Sequence, residues 1–225
     1  MEKELAITLN LKSLKEKIPE NIKIIAVSKA QTVETIMDIY NANHRIFGEN
    51  RVQEIVAKKN KLPEDISWHF IGHLQSNKVN QIVPFVDLIH GVDSVKLLEI
   101  INKEAEKINR TVNCLLQVHI AKETTKFGFT ENELIDFLSS KIIENFKNIK
   151  ILGLMGMATF TDDEQQVRQE FRTLKRIFVR VKTDFFAKNQ LFKELSMGMS
   201  DDYKIAIDEG STIVRIGSGI FGQRF

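Results

Sequence analysis

The stretch Lys23-Ile24-Ile25-Ala26-Val27-Ser28-Lys29 reads as a short buried strand that stops on a lysine. Its apolar residues run together instead of alternating with polar ones. Strands buried on both faces read this way, as they do in parallel sheets. Runs of the same kind recur along the chain at Arg45–Phe47, Ser67–Ile71, Leu88–His90, Cys114–His119, Ile151–Met155, Glu194–Met197 and Ile213–Ile216.

Helical patterns separate these runs. Val167, Phe171, Leu174, Phe178, Val181 and Phe185 follow steps of four and three, behind a capping-box signal at Thr161-Asp162-Asp163-Glu164. A second such signal, Thr130 to Glu133, precedes Leu134, Phe137, Leu138 and Ile142. Asn50-Arg51-Val52-Gln53 marks a third helix start. Alternating strands and helices imply βαβ units. Eight units of roughly 28 residues each predict a single (β/α)8 TIM barrel over residues 1–225, with residues 1–17 as an extra N-terminal helix.

Composition narrows the function. Hydrophobic residues at 43% suffice for one full core, and three prolines with 11 glycines leave no long linker. Thirty-two basic against 30 acidic residues, a formal charge of +2, speaks against a nucleic-acid binder. No apolar run approaches the ~18 residues of a membrane span, and no apolar leader follows Met1-Glu2-Lys3. A cytoplasmic protein without a membrane partner is expected. Cys114 is the only cysteine and sits in a strand pattern, as an inert core thiol would.

The chemistry lies at the strand tips. A barrel gathers them at one rim, where such folds place their sites and where phosphate often binds after strands seven and eight. The tips include Ser28-Lys29, Gly48-Glu49-Asn50, Gly72-His73, Met199-Ser200 and Gly217-Ser218-Gly219. Glycine amides approach an anion closely, and a serine hydroxyl adds a donor, although ordinary turns use the same residues. Lys29, buried against Ile25 and Val27, would lose its proton readily and condense with an aldehyde; taken alone it reads better as a lysine reaching out from a strand end, and the phosphate-type loops at the other end of the sequence reverse that preference. Arg215 shares a face with Gly217 and needs a partner, either a carboxylate such as Asp202 or Glu49 or a heteroaromatic ring nitrogen. His69, His73, His90 and His119 do not follow metal-ligand spacing, so no metal is expected. Met155, Met157, Met197 and Met199 suit packing near the barrel mouth.

Ala26-Val27-Ser28-Lys29, Phe47-Gly48-Glu49-Asn50-Arg51-Val52-Gln53-Glu54 and His69-Phe70-Ile71-Gly72-His73-Leu74-Gln75-Ser76-Asn77-Lys78 also occur as motifs, in this order. They continue with Lys126-Phe127-Gly128, Gly153-Leu154-Met155-Gly156-Met157, Ser196-Met197-Gly198-Met199-Ser200-Asp201-Asp202, and Ala206-Ile207-Asp208-Glu209-Gly210-Ser211-Thr212 leading into Arg215-Ile216-Gly217. Over nearly its whole length the chain resembles the pyridoxal phosphate homeostasis proteins, single-domain relatives of the barrel half of alanine racemase. The resemblance implies a fold-type III barrel holding pyridoxal 5′-phosphate on Lys29 as an internal aldimine. It places the phosphate on Ser200, Gly217 and Ser218, Arg215 at the pyridine nitrogen, Asn50 at the phenolic edge and Met199 near the phosphate, with Lys78 at the pocket mouth. Two positions depart from the family pattern. Asn43 replaces a glycine at a helix end, where asparagine tolerates the left-handed conformation. His119 replaces an asparagine after strand five, which alters one pocket wall.

Function follows from what the chain lacks. Arg215 at the ring nitrogen weakens the cofactor as an electron sink. Alanine racemase adds a tyrosine base from a second domain; only Tyr40, within a helix, and Tyr203, at a helix start, occur here. The expectation is a monomeric, non-catalytic carrier of pyridoxal phosphate in vitamin B6 homeostasis, with pyridoxal-phosphate-requiring apoenzymes as partners. A weakly active racemase-like enzyme and an aldolase-like Schiff-base enzyme for a phosphosugar are the alternatives.

Overall fold

The structure is a computed structural model that describes residues 2–123 and 127–223. Helix α1 (Glu2–Lys17) precedes strand β1 (Lys23–Val27). Then come α2 (Val33–Asn41), β2 (Ile46–Glu49), α3 (Val52–Lys59), β3 (Ser67–Phe70), a 3-10 turn at Ser76–Lys78 running into α4 (Val79–Ile82), and β4 (Leu88–Val92). The second half comprises α5 (Val95–Glu106), β5 (Val112–Gln117), α6 (Glu131–Ser139), β6 (Ile149–Met155), α7 (Glu164–Phe185), β7 (Glu194–Met199), α8 (Tyr203–Asp208), β8 (Ile213–Ile216) and α9 (Ser218–Phe221). Strands β1 to β8 form a closed parallel barrel in sequence order. The seam pairs Lys23 with Ile213 and Ala26 with Ile216.

Each predicted strand is present; β1 and β8 keep their expected bounds, and no strand end moves by more than two residues. Two cores result. Ile25, Leu88, Leu115, Met155 and Ile213 fill the barrel, while a larger shell packs between strands and helices. That double burial explains the unbroken apolar runs. Met155 and Met197 are fully buried, and Cys114 lies in the shell, where burial pushes its thiol pKa up. Gly153 permits the β6–β7 approach: a Cβ there would stand 1.7 Å from the Glu194 carbonyl oxygen.

Local signals fare unevenly. Thr130 and Glu133 form the reciprocal capping box at α6. Asn43 is left-handed, with φ 56°. At α7, however, the cap is not Thr161. Asp163 accepts the amides of Gln165 and Gln166, and the Thr161 hydroxyl instead accepts the Asp163 amide. A carboxylate two residues closer to the first free amides is the better acceptor for them. Helix α3 begins after Arg51 with no side-chain cap, so Asn50 is free for the rim.

The barrel interior also holds polar groups in a fixed order. At its base Lys23 pairs with Glu194 at 2.7 Å. Higher up, Arg215 Nη1 donates to Ser196 Oγ at 2.7 Å. Ser196 Oγ also hydrogen-bonds His90 Nδ1, 2.9 Å away, and His90 Nε2 bonds to His69 Nδ1 at 3.0 Å. Both histidines are buried and neutral. Burial takes His69 to a pKa of about 3; burial, then His69 and Arg215, hold His90 well below the usual range. His44, buried on the outer side, is lowered to about 4, again chiefly by burial.

These depressed values fix a pH dependence. Unfolded histidines take up protons near pH 6.5 and the folded ones do not, so the stabilisation is complete above that pH and is lost as pH falls toward 4 and below. Between pH 7 and pH 5, His44 and His69 should each remove about 2 kcal/mol of folding stability. Urea unfolding midpoints at the two pH values measure this; a midpoint unchanged at pH 5 would show that these rings are charged when folded.

Candidate functional site

The strand tips surround a cavity of about 530 Å³ at the C-terminal rim of the barrel. Lys29, Asn50, Met199, Ser200, Arg215, Gly217 and Ser218 all line it, so the structure brings these seven expected residues together. Closure of the barrel does this. Pairing of β1 with β8 puts residue 29 beside residues 217 and 218, although nearly the whole chain separates them.

Lys29 differs from expectation in one respect. Ile25 is fully buried and Val27 nearly so, but Lys29 is exposed. The strand ends at Val27, Ser28 N donates to the Gly48 carbonyl, and Gln31 N turns back to the Ser28 carbonyl at 2.9 Å. This turn carries Lys29 onto the rim, past the apolar wall that was to suppress its charge. The protein does not bury this amine by itself.

The anion-binding turn is built from two loops. Ser200 Oγ accepts the amides of Gly217 at 3.1 Å and Gly219 at 3.2 Å. Two N–H groups from the turn after β8 thus converge on one oxygen, supplied here by the turn after β7. The Met199 amide is held by Asp202 Oδ1 at 2.5 Å. Burial raises the Asp202 pKa, partly offset by the nearby Arg215 charge. Arg215 itself is 3% exposed, and burial brings it down to about 10, so it stays a cation at neutral pH. Its bonds go to Ser196 and to the Gly156 carbonyl at 3.2 Å. Neither Asp202 nor Glu49 bonds to it as a carboxylate partner; Glu49 is engaged with Lys58 and Ser28. Arg215 therefore reaches the cavity wall with neutral acceptors behind it.

The opposite wall was less legible. His73 stacks on Phe127 with ring centroids 4.0 Å apart and bonds to Asp93. Gln117 Nε2 donates to the Phe127 carbonyl at 2.7 Å, and Phe160 stands 88% exposed at the mouth. Met157 also lines the cavity. His73 and Met157 sit in strand tips, a signal sequence reasoning could use; Phe127 and Phe160 come from loops with no such marker. Two expected neighbours are elsewhere. Lys78 lies in the turn before α4 and does not line the cavity. His119 also faces away, bonded through Nε2 to the Glu123 carbonyl, so Gln117 forms the wall there. Lys126 falls outside the described residues. Among the described residues no group of three or more His, Cys, Asp or Glu could hold a metal ion, and no helix is long and apolar enough to cross a membrane.

The donor set fits a phosphorylated aromatic aldehyde. Paired amides and a hydroxyl suit a phosphate, a buried guanidinium suits a ring acceptor, and a primary amine at the rim suits an aldehyde.

Comparison with known proteins agrees. Residues 4–224 match the alanine racemase N-terminal domain family. The pyridoxal phosphate homeostasis protein of Helicobacter pylori is 40% identical over 204 residues, covering 90% of this chain and 88% of its own. That of Schizosaccharomyces pombe is 35% identical, covering 91% and 85%. The structure of PipY from Synechococcus elongatus without PLP superimposes with a TM-score of 0.90 at 34% identity, over 96% of this chain and all of PipY. The form of PipY with PLP bound gives 0.87. Alanine racemase of Clostridium difficile, 17% identical, shares the barrel fold at a TM-score of 0.76 over 97% of this chain and 56% of the racemase. The chain belongs to the pyridoxal phosphate homeostasis protein family, within the alanine racemase N-terminal domain family.

Proposed function

We propose that this chain binds pyridoxal 5′-phosphate at the barrel rim, with Lys29 as its covalent attachment point, and carries it for vitamin B6 homeostasis without efficient turnover. One observation carries the reading: Lys29, Arg215, Ser200, Gly217 and Ser218 line one cavity, with Ser200 Oγ accepting the Gly217 and Gly219 amides. PipY, 34% identical over its whole length, has a structure with PLP bound, which supports the same ligand here.

The residues divide the work. Ser200, Gly217 and Ser218 take the phosphate, and Met199 flanks it. Arg215, a permanent donor, meets the ring nitrogen and leaves it without a proton. Asn50 borders the phenolic edge. Pyridoxal phosphate supplies an aldehyde that a primary amine captures reversibly. Holding it on Lys29 keeps it from other amines, and release would serve pyridoxal-phosphate-requiring apoenzymes. All these groups belong to one chain, so a monomer is sufficient, and the cytoplasm is where such apoenzymes would be met.

Absence of turnover rests on proton handling. Carbanion chemistry needs a positioned acid or base beside the ring. Tyr40 donates its hydroxyl to Asp65 at 2.7 Å under the Arg45 guanidinium, and neither Tyr40 nor Tyr203 lines the cavity.

Four outcomes test the reading. Wild-type protein mixed with pyridoxal phosphate should turn yellow, and borohydride should fix the cofactor to the peptide containing Lys29. Lys29→Ala should abolish the fixed adduct; an adduct of equal yield elsewhere would refute the assignment. Ser200→Ala should weaken cofactor affinity about tenfold, or ~1.4 kcal/mol, in titrations followed by fluorescence. Incubation of the loaded protein with amino acids in deuterium oxide should give no Cα exchange above that of free cofactor, and catalytic exchange of any amino acid would establish an enzyme.

A further inference from the structure

Behind the rim, away from the cavity, lies a compact ion cluster that the site reading does not use. Lys58 Nζ, on α3, makes three contacts: the Ser28 carbonyl at 2.9 Å, Glu49 Oε1 at 2.8 Å and Glu54 Oε2 at 3.2 Å. Glu49 Oε1 also accepts the Ser28 hydroxyl at 2.7 Å. Glu54 Oε2 accepts the Ala30 amide at 2.7 Å. The residue before Lys29 and the residue after it are thus tied to the same ammonium, one directly and one through Glu54.

The cluster is a poor choice for stability alone. Lys58 is 8% exposed and Glu49 fully buried, and desolvating such charges commonly offsets their attraction. Glu49 Oε2 has no hydrogen-bond partner. Burial raises the Glu49 pKa against the pull of Lys58 and Ser28. Ala30, meanwhile, is left-handed at φ 58°, a conformation that costs an alanine energy and persists only when its surroundings impose it. Glu54 imposes it through the Ala30 amide. Apolar residues of similar volume would fill the space and would release this turn.

We propose that Glu54, Lys58 and Glu49 are positioning residues that clamp the Ser28–Ala30 turn, so that the exposed Lys29 amine is aimed at the aldehyde position. The inference rests on Lys29 being the attachment point. A clamped backbone on both sides of Lys29 fixes where its side chain starts and raises the fraction of its rotamers that reach over the phosphate turn. The clamp acts on covalent capture and leaves the phosphate grip untouched, because it contacts neither Ser200 nor residues 217–219.

The test separates the two steps. Pyridoxine 5′-phosphate carries the ring and phosphate without the aldehyde, so its affinity reports the grip alone. Glu54→Ala should lower the borohydride-fixed fraction at Lys29, at subsaturating pyridoxal phosphate, by about tenfold while pyridoxine 5′-phosphate affinity stays within about twofold. Glu54→Gln keeps an oxygen for the Ala30 amide and should restore most of the capture. The Glu54 side chain is partly exposed, so these variants keep the Lys58–Glu49 pair and the fold, which a thermal midpoint checks. Unchanged capture in Glu54→Ala, or equal weakening toward both ligands, would overturn the clamp while leaving the site intact. Wild-type protein that binds pyridoxine 5′-phosphate without capturing the aldehyde, or binds neither, would overturn the assignment of Lys29 and the clamp with it.

Discussion

The site depends on the hydrogen-bonded seam between the first and last strands. Four residue pairs, from Lys23 with Ile213 to Ala26 with Ile216, close the barrel. Nothing else brings an amine at position 29 within a cavity's width of amides at 217 and 219. A parallel seam cannot be made by a local hairpin, because parallel strands need a crossover connection. Here the entire intervening chain serves as that connection. The site is in this sense a property of the whole fold, and any change that opens the seam separates its two halves before it touches either one.

The polar interior shows how the two halves are then held in register. Arg215 projects from the last strand and is held by Ser196 of β7, whose hydroxyl is committed to His90 of β4 and through it to His69 of β3. The string runs across the barrel, so one guanidinium is oriented by strands on the far side. On the first-strand side, an ammonium in a shell otherwise filled by apolar residues does comparable work on the backbone around Lys29. Both devices lie beneath the rim, and both use groups whose burial carries an energetic penalty that closer packing would avoid.

The fold was legible because a doubly buried parallel strand leaves a plain mark. Ile24 to Val27 and Leu115 with Leu116 show unbroken apolar runs for the same reason that they are buried on both faces. The rim was legible because barrel topology gathers strand tips, and Lys29, Asn50, Arg215 and Gly217 are tips. The supporting layer was not. Lys58 reads in sequence as one more solvated helix lysine, and only its position on α3 behind Ser28 gives it a buried role. Phe127 and Phe160 lie in loops whose path no periodicity dictates. Lys29 itself was misjudged in its burial, since the sequence neighbours of a residue say little about its exposure once the strand has ended and the chain has turned.

Helix α1 carries one more consequence. Its apolar stripe of Ile7, Leu11 and Leu14 is buried, partly against α9, where Asn10 Nδ2 donates to the Ile220 carbonyl at 3.1 Å. Helices α1 and α9 therefore cover apolar surface for one another, although the eight strands lie between them in sequence. Displacing either helix would open an apolar face to water, the kind of surface on which partly folded chains associate.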